Sequence, residues 1–191
     1  MKRLIIFLLS MPFSLFSAGQ KVMRAQVAIV DKLKQDYLIN LFLSDSTTVV
    51  LNGSGNIIDL TTSRKNTSLK VEEVLNAGGE RVITSIGKWK VKYYGQLWPL
   101  EGRKIKSIGN LRFDYFLPGW GVNTGKMKSA GNINFDYYRE GWGLLEGKLH
   151  AINKITFSYF STGWGVQTGH IESFEGKEKS ISVRVLNGVN S

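Results

Sequence analysis

The chain has 191 residues, of which 42% are hydrophobic and 21% charged, as in an ordinary globular domain. It contains no Cys, which excludes disulfides, thiolate metal sites, a cysteine nucleophile and a lipid anchor on an N-terminal cysteine. Its formal net charge of +10 favours anionic partners or, alternatively, only keeps a β-rich protein soluble.

Residues 1–19 predict a signal peptide. Lys2 and Arg3 form a basic start, an apolar stretch runs on to Phe16, and small residues follow it. The alternative is a retained membrane anchor, but the apolar stretch is shorter than the ~20 residues of a membrane span and contains Pro12. Without the two basic residues, the remaining 23 basic and 15 acidic residues still leave +8. We therefore expect an exported protein, located in the periplasm, at the outer-membrane surface or outside the cell.

The next segment, residues 20–82, differs in pattern from the rest of the chain. Its first part, residues 20–46, is apolar-rich and fits a helix or a strand. Thr47 to Leu60 predicts a hairpin around an Asn-Gly-Ser-Gly turn at 52–55. Leu69 to Leu75 predicts a further short element. We expect the whole segment to pack on the part of the chain that follows it.

Residues 83–170 divide into four rows of 22 residues that align without an insertion. Each row has an apolar first and fourth residue, a Tyr followed by a second aromatic residue, and a Trp at its sixteenth position. The tyrosine column is Tyr93, Tyr115, Tyr137 and Tyr159. Residues 171–191 begin as a partial fifth row and predict a C-terminal strand.

Each row carries the alternating pattern of a half-buried β-strand. Leu111, Phe113 and Tyr115 alternate with Arg112 and Asp114, and the other rows repeat this alternation. A Gly or Asn begins a tight turn in every row, and a Gly-Trp-Gly sequence marks a second turn in the last three. The pattern predicts one hairpin per row and therefore a mainly β fold, an antiparallel up-and-down sheet of about eight strands.

The apolar face of this sheet needs a cover, because each apolar side chain gains ~1.5–3 kcal/mol on burial. Either the sheet closes on itself, or residues 20–82 lie across it. We expect a curled or barrel-like sheet with the N-terminal segment packing on it. Ile105 and Ile108 are three positions apart, which simple alternation cannot place on one face. A β-bulge or the tight turn itself must account for that spacing.

The rows resemble tandem β-hairpin repeats of the MORN type, which also have Tyr, Trp and Gly in fixed columns. The resemblance rests on residues 113–116, on Gly119-Trp120-Gly121 and on their copies, and it covers residues 83–170. It implies a non-enzymatic sheet that supports interactions.

Few side chains point to catalysis. His150 and His170 occupy columns that hold charged residues in other rows, so we expect solvated side chains. Asp114 and Asp136 share one column and could form a glycosidase pair, but charge pairing across strands on a solvent face fits better. No nucleophile or phosphate-binding motif is present. We predict that the protein is not an enzyme and needs no metal or cofactor.

The tryptophan column, Trp98, Trp120, Trp142 and Trp164, is the candidate ligand-binding site. Exposed aromatic rings in register can stack on sugars or enter a membrane interface. The alternative is that they fold back over the sheet, since large aromatic side chains are usually buried.

These features predict a binding module of the bacterial envelope. The expected partners are an acidic glycan, lipopolysaccharide or a membrane surface, and we expect no specific nucleic-acid recognition. A small outer-membrane β-barrel and a hydrolase with an unrecognised site are the alternatives.

Overall fold

A computed structural model describes residues 22–31, 36–63, 68–75, 79, 81–95 and 104–187. The predicted signal peptide lies outside these ranges. Within them, no helix is long and apolar enough to cross a membrane.

The fold is mainly β, as predicted, and its strands form two sheets. In chain order the strands are β1 (Val22–Asp31), β2 (Asp36–Leu43), β3 (Thr47–Asn52), β4 (Ile57–Thr62), β5 (Val71–Leu75), β6 (Arg81–Ile86), β7 (Trp89–Tyr93), β8 (Ile105–Ile108), β9 (Leu111–Tyr115), β10 (Met127–Ala130), β11 (Ile133–Tyr137), β12 (Leu149–Ile152), β13 (Ile155–Tyr159), β14 (Ile171–Glu175) and β15 (Ile181–Asn187). Short 3-10 turns lie at Gly121–Asn123, Gly143–Leu145 and Gly165–Gln167.

The larger sheet has ten strands, β5 to β14, and each strand pairs antiparallel with its neighbours in the chain. The predicted sheet of consecutive antiparallel hairpins is therefore confirmed. Its strand order is open, with β5 and β14 at the two edges. Closure into a barrel, one of the forms that we expected, is not found among the described strands.

The smaller sheet has five strands in the order β15-β1-β2-β3-β4. The described part of residues 20–46, whose pattern fitted helix or strand, forms β1 and β2. The hairpin expected over Thr47 to Leu60 forms as β3 and β4. The C-terminal strand β15 returns to this sheet and pairs parallel with β1.

The apolar face of the large sheet is covered by the smaller sheet, and a single hydrophobic core includes buried residues of both. The Tyr37 ring of β2 stacks on Phe135 of β11 with 6.3 Å between ring centroids. The backbone N–H of Met127 donates to the carbonyl oxygen of Gly53 at 3.0 Å. The smaller sheet thus buries the apolar face that closure into a barrel would have buried.

A β-bulge accounts for the apolar pairs that lie three residues apart. Tyr93 pairs with Ile105 and Lys92 pairs with Ser107, so Lys106 is an extra residue with no partner position. The bulge changes the phase of the strand, and both Ile105 and Ile108 are buried. Equivalent register shifts place one extra residue in β6, β10, β12 and β14.

Side chains of the tyrosine column form hydrogen bonds to the backbone next to these bulges. In three of the four rows the Tyr hydroxyl donates to the backbone carbonyl of the first residue of its own row, ten positions earlier. The Tyr93 hydroxyl donates to Ile83 O at 3.0 Å, that of Tyr137 to Met127 O at 2.9 Å and that of Tyr159 to Leu149 O at 2.6 Å. A polar group exposed by the bulge therefore keeps a partner inside the core.

Candidate functional site

Trp120, Trp142 and Trp164 lie in the loops that join one hairpin to the next. In the loop from Phe116 to Lys126, the N–H of Phe116 donates to Lys126 O at 3.0 Å and the N–H of Gly125 donates to Phe116 O at 2.8 Å. Gly119 and Gly121 have φ of 99° and 52°, which side chains disfavour. The Gly-Trp-Gly sequence therefore sets the path of the loop.

The next two loops have the same backbone hydrogen bonds. The N–H groups of Tyr138 and Gly147 donate to Lys148 O and Tyr138 O, both at 2.9 Å. Those of Phe160 and Gly169 donate to His170 O and Phe160 O at 2.9 and 2.8 Å. The three loops therefore hold their Trp residues in equivalent positions.

Trp120, Trp142 and Trp164 are exposed at the surface, at 43%, 60% and 56% of their full accessible area. We call these three side chains the tryptophan ledge. Each ring contacts the aromatic residue four positions earlier, with centroid distances of 5.0, 5.3 and 5.2 Å. Contact with one aromatic neighbour orients the ring without burying it. The alternative considered for this column, that the rings fold back over the sheet, therefore holds only in part. Trp98 lies outside the described residues.

The surroundings of the ledge are apolar and carry charges of both signs, since Glu140 lies against Gly121 and Glu146 accepts a hydrogen bond from the N–H of Gly141 at 2.8 Å. Leu117, Val122 and Leu144 are exposed in the same loops. The Arg139 guanidinium lies 5.3 Å from the centroid of the Trp120 ring, a cation–π arrangement. Because neighbouring strands are about 4.8 Å apart, equivalent residues one row apart lie about 10 Å apart. The ledge is therefore a row of rings suited to an extended ligand or a surface.

Half-buried lysines connect neighbouring loops beneath the ledge. The Lys126 ammonium donates to Gly147 O and to Asn123 Oδ1, the latter at 3.2 Å, and lies 5.1 Å from the centroid of the Tyr137 ring. Lys148 makes the corresponding bond to Gly169 O. Burial lowers the pKa of Lys126 to about 8. This role was missed in the sequence, although a Lys at the end of each of the first three rows was a visible signal.

The acidic side chains singled out in the sequence pair across strands, as expected. Asp114 lies 3.9 Å from the Lys128 ammonium, and Asp136 lies 3.0 Å from His150 Nδ1. His150 is half-buried and packs against the Tyr138 ring at 4.7 Å between centroids, so it is less solvated than predicted. Among the described residues, no three His, Asp or Glu side chains are grouped as a metal site would require.

The site therefore offers apolar ring faces, charged side chains of both signs and backbone polar groups, which suit binding by stacking and charge. Comparison of the chain with protein-family models, with curated proteins and with solved structures found no match.

Proposed function

We propose that the protein is an exported, non-enzymatic binding module of the bacterial envelope, which binds an anionic polymer or surface through the tryptophan ledge. The observation that carries this proposal is the exposure of three large aromatic side chains in three successive loops of one sheet. Large aromatic residues are usually buried, and exposed ones next to cations mark recognition surfaces.

The geometry of the loops supports a binding role. The repeated backbone hydrogen bonds fix each loop before a ligand arrives, so little conformational entropy is lost on binding. The net charge of +8 that remains without Lys2 and Arg3 of the predicted signal peptide attracts an anionic partner.

We further infer that the hairpins are copies of one 22-residue unit, in line with the resemblance to MORN-type repeats. The shared columns of the sequence, the recurring bulges and the recurring loop hydrogen bonds support this origin. Duplication of one loop would place identical contacts at regular spacing, which favours a partner with a regular structure.

The test is retention on immobilised lipopolysaccharide, on an acidic polysaccharide and on anionic vesicles, using the full exported chain. We expect Trp120→Ala, Trp142→Ala and Trp164→Ala together to lose most of the retention on at least one of these. The control combines Ile58→Ala and Phe174→Ala, which remove exposed apolar side chains outside the loops. Unchanged retention of the triple variant on all three materials would show that the ledge is not the site.

A further inference from the structure

A basic groove lies on the face of the ten-stranded sheet that points away from the smaller sheet. It is an open depression of about 850 Å³. Lys92 of β7 pairs in register with Ser107 of β8, which pairs with Arg112 of β9. Directly opposed residues of antiparallel strands point to the same side of a sheet. The small Ser107 therefore leaves a gap between two long cationic side chains.

A third cation reaches the groove because of the bulge in β8. Lys106, the extra residue, lines the groove with its ammonium 5.6 Å from the centroid of the Tyr94 ring. Without the bulge, strict alternation would give Lys106 the opposite orientation to Ser107. We name Lys92, Lys106 and Arg112 the basic cluster.

The groove keeps an excess of positive charge, since three cations and one carboxylate, that of Asp114, line it. The ion pair of Asp114 is with Lys128 at 3.9 Å. No ion pair among the described residues involves a member of the basic cluster. Three cations from adjacent strands thus converge on one depression, where each raises the local concentration of anions.

We propose that the basic cluster is an oxyanion subsite, which binds a sulfate or phosphate ester group of a linear acidic glycan. This inference deepens the proposed function, because it names the chemical class of the anionic partner. Arg112 supplies the planar fork that binds two oxygens of one oxyanion, and the two lysines act as point charges beside it. Ser107 and Ser129 line the groove and add hydroxyl donors.

The shape of the groove and the charges around it favour a glycan over other polyanions. A planar bilayer cannot enter a depression in the sheet, whereas a single chain can. A nucleic acid carries a charge on every nucleotide. Further along the same face, Asp136 of β11 and Glu175 of β14 are exposed and would repel such a regular charge. A glycan with sparse ester groups avoids this repulsion, and its other sugars remain free to contact the tryptophan ledge.

The test compares binding of a sulfated linear oligosaccharide with binding of the same oligosaccharide after desulfation, by titration calorimetry on the full exported chain. The groove variant combines Lys92→Gln, Lys106→Gln and Arg112→Gln. The control variant combines Lys154→Gln, Lys177→Gln and Lys179→Gln, three exposed lysines outside the groove, so that both lose the same net charge. Thermal unfolding checks that both variants remain folded.

We expect the groove variant to bind the sulfated chain at least about tenfold more weakly, and the control variant less than about threefold more weakly. Desulfation should remove the difference between the groove variant and the wild type. Equal losses of affinity in the two variants would overturn the inference. So would binding of single-stranded DNA or anionic vesicles through the basic cluster that is tighter than binding of the sulfated oligosaccharide. If the groove variant loses affinity for the sulfated chain and the triple tryptophan variant does not, the subsite is supported and the ledge is rejected. The opposite result would keep the ledge and reject the subsite.

Discussion

At the scale of single residues, burial lowers the pKa of a lysine and raises the pKa of three tyrosines. Lys126 is partly buried, and its pKa falls from 10.5 to about 8, since desolvation disfavours the ammonium. Tyr37, Tyr115 and Tyr137 lie in the core, where burial raises the pKa of each phenol well above 10.0. Both effects appear as a dependence of stability on pH.

The free energy of unfolding should therefore pass through a maximum in mildly alkaline solution. Between about pH 8 and 10.5 the unfolded chain holds more protons at Lys126 than the folded chain does, so this group raises stability as pH rises. Above about pH 10 the tyrosines reverse the trend, because the folded chain then holds the additional protons. Urea unfolding midpoints from pH 7 to 11 measure both trends.

The contribution of Lys126 can be isolated by comparing two variants. Lys126→Met should flatten the rise above pH 8, whereas Lys154→Met, which changes an exposed lysine, should retain it. The slope is the relevant quantity, because Lys126→Met also removes the bond to Gly147 O and lowers stability at every pH. A rise of unchanged slope in Lys126→Met would assign the effect to another group.

At the scale of elements, three hairpins combine a bulge with a tyrosine hydroxyl that bonds to it. Tyr159→Phe leaves the ring in the core but removes the donor to Leu149 O, which lies 2.6 Å from the hydroxyl. A buried carbonyl that loses its partner costs about 1–3 kcal/mol. We expect Tyr159→Phe to lower the free energy of unfolding within that range.

The matched comparison for this prediction is Tyr138→Phe. The Tyr138 hydroxyl donates to Phe157 O at 3.1 Å, but the side chain is half-buried, so water can replace the bond. Its loss should cost about 1 kcal/mol or less. Equal losses of unfolding free energy in the two variants would mean that the tyrosine at the bulge stabilises the fold no more than a half-buried hydrogen bond does.

The elements also show where the sequence was informative. Alternation in Leu111 to Tyr115 predicted a strand, since its period of two is a local property. The spacing of Ile105 and Ile108 indicated an irregularity, but only pairing with β7 distinguishes a bulge from a turn. Exposure of the tryptophans and convergence of the basic cluster depend on neighbouring strands, which a single sequence does not specify.

At the scale of the whole molecule, two open sheets are stabilised by their mutual contact. Burial of an apolar face could have been predicted from the alternation, whereas the identity of its cover could not. The parallel pairing of β1 with β15 joins the two ends of the described chain. Contacts between residues so far apart in sequence leave little trace in local pattern.

The approach of the β3–β4 turn to the large sheet gives a direct test of this packing. Gly55 has φ of 80°, and a Cβ there would lie 2.4 Å from the Tyr115 hydroxyl oxygen. Gly79 has a similar φ of 75°, but a Cβ there would meet nothing within 4 Å. Alanine at either position incurs the strain of a left-handed backbone, about 1–2 kcal/mol, and at Gly55 it also forces the sheets apart.

We therefore expect Gly55→Ala to lower the free energy of unfolding by about 1–3 kcal/mol more than Gly79→Ala does, as measured by urea unfolding. Tyr115→Phe in the Gly55→Ala background should recover only a small part of the loss, because the ring carbon Cε1 still lies 2.5 Å from the position of the added methyl group. Equal losses for the two glycine variants would mean that the β3–β4 turn does not press against Tyr115. The smaller sheet would then not cover the large one in the way described here.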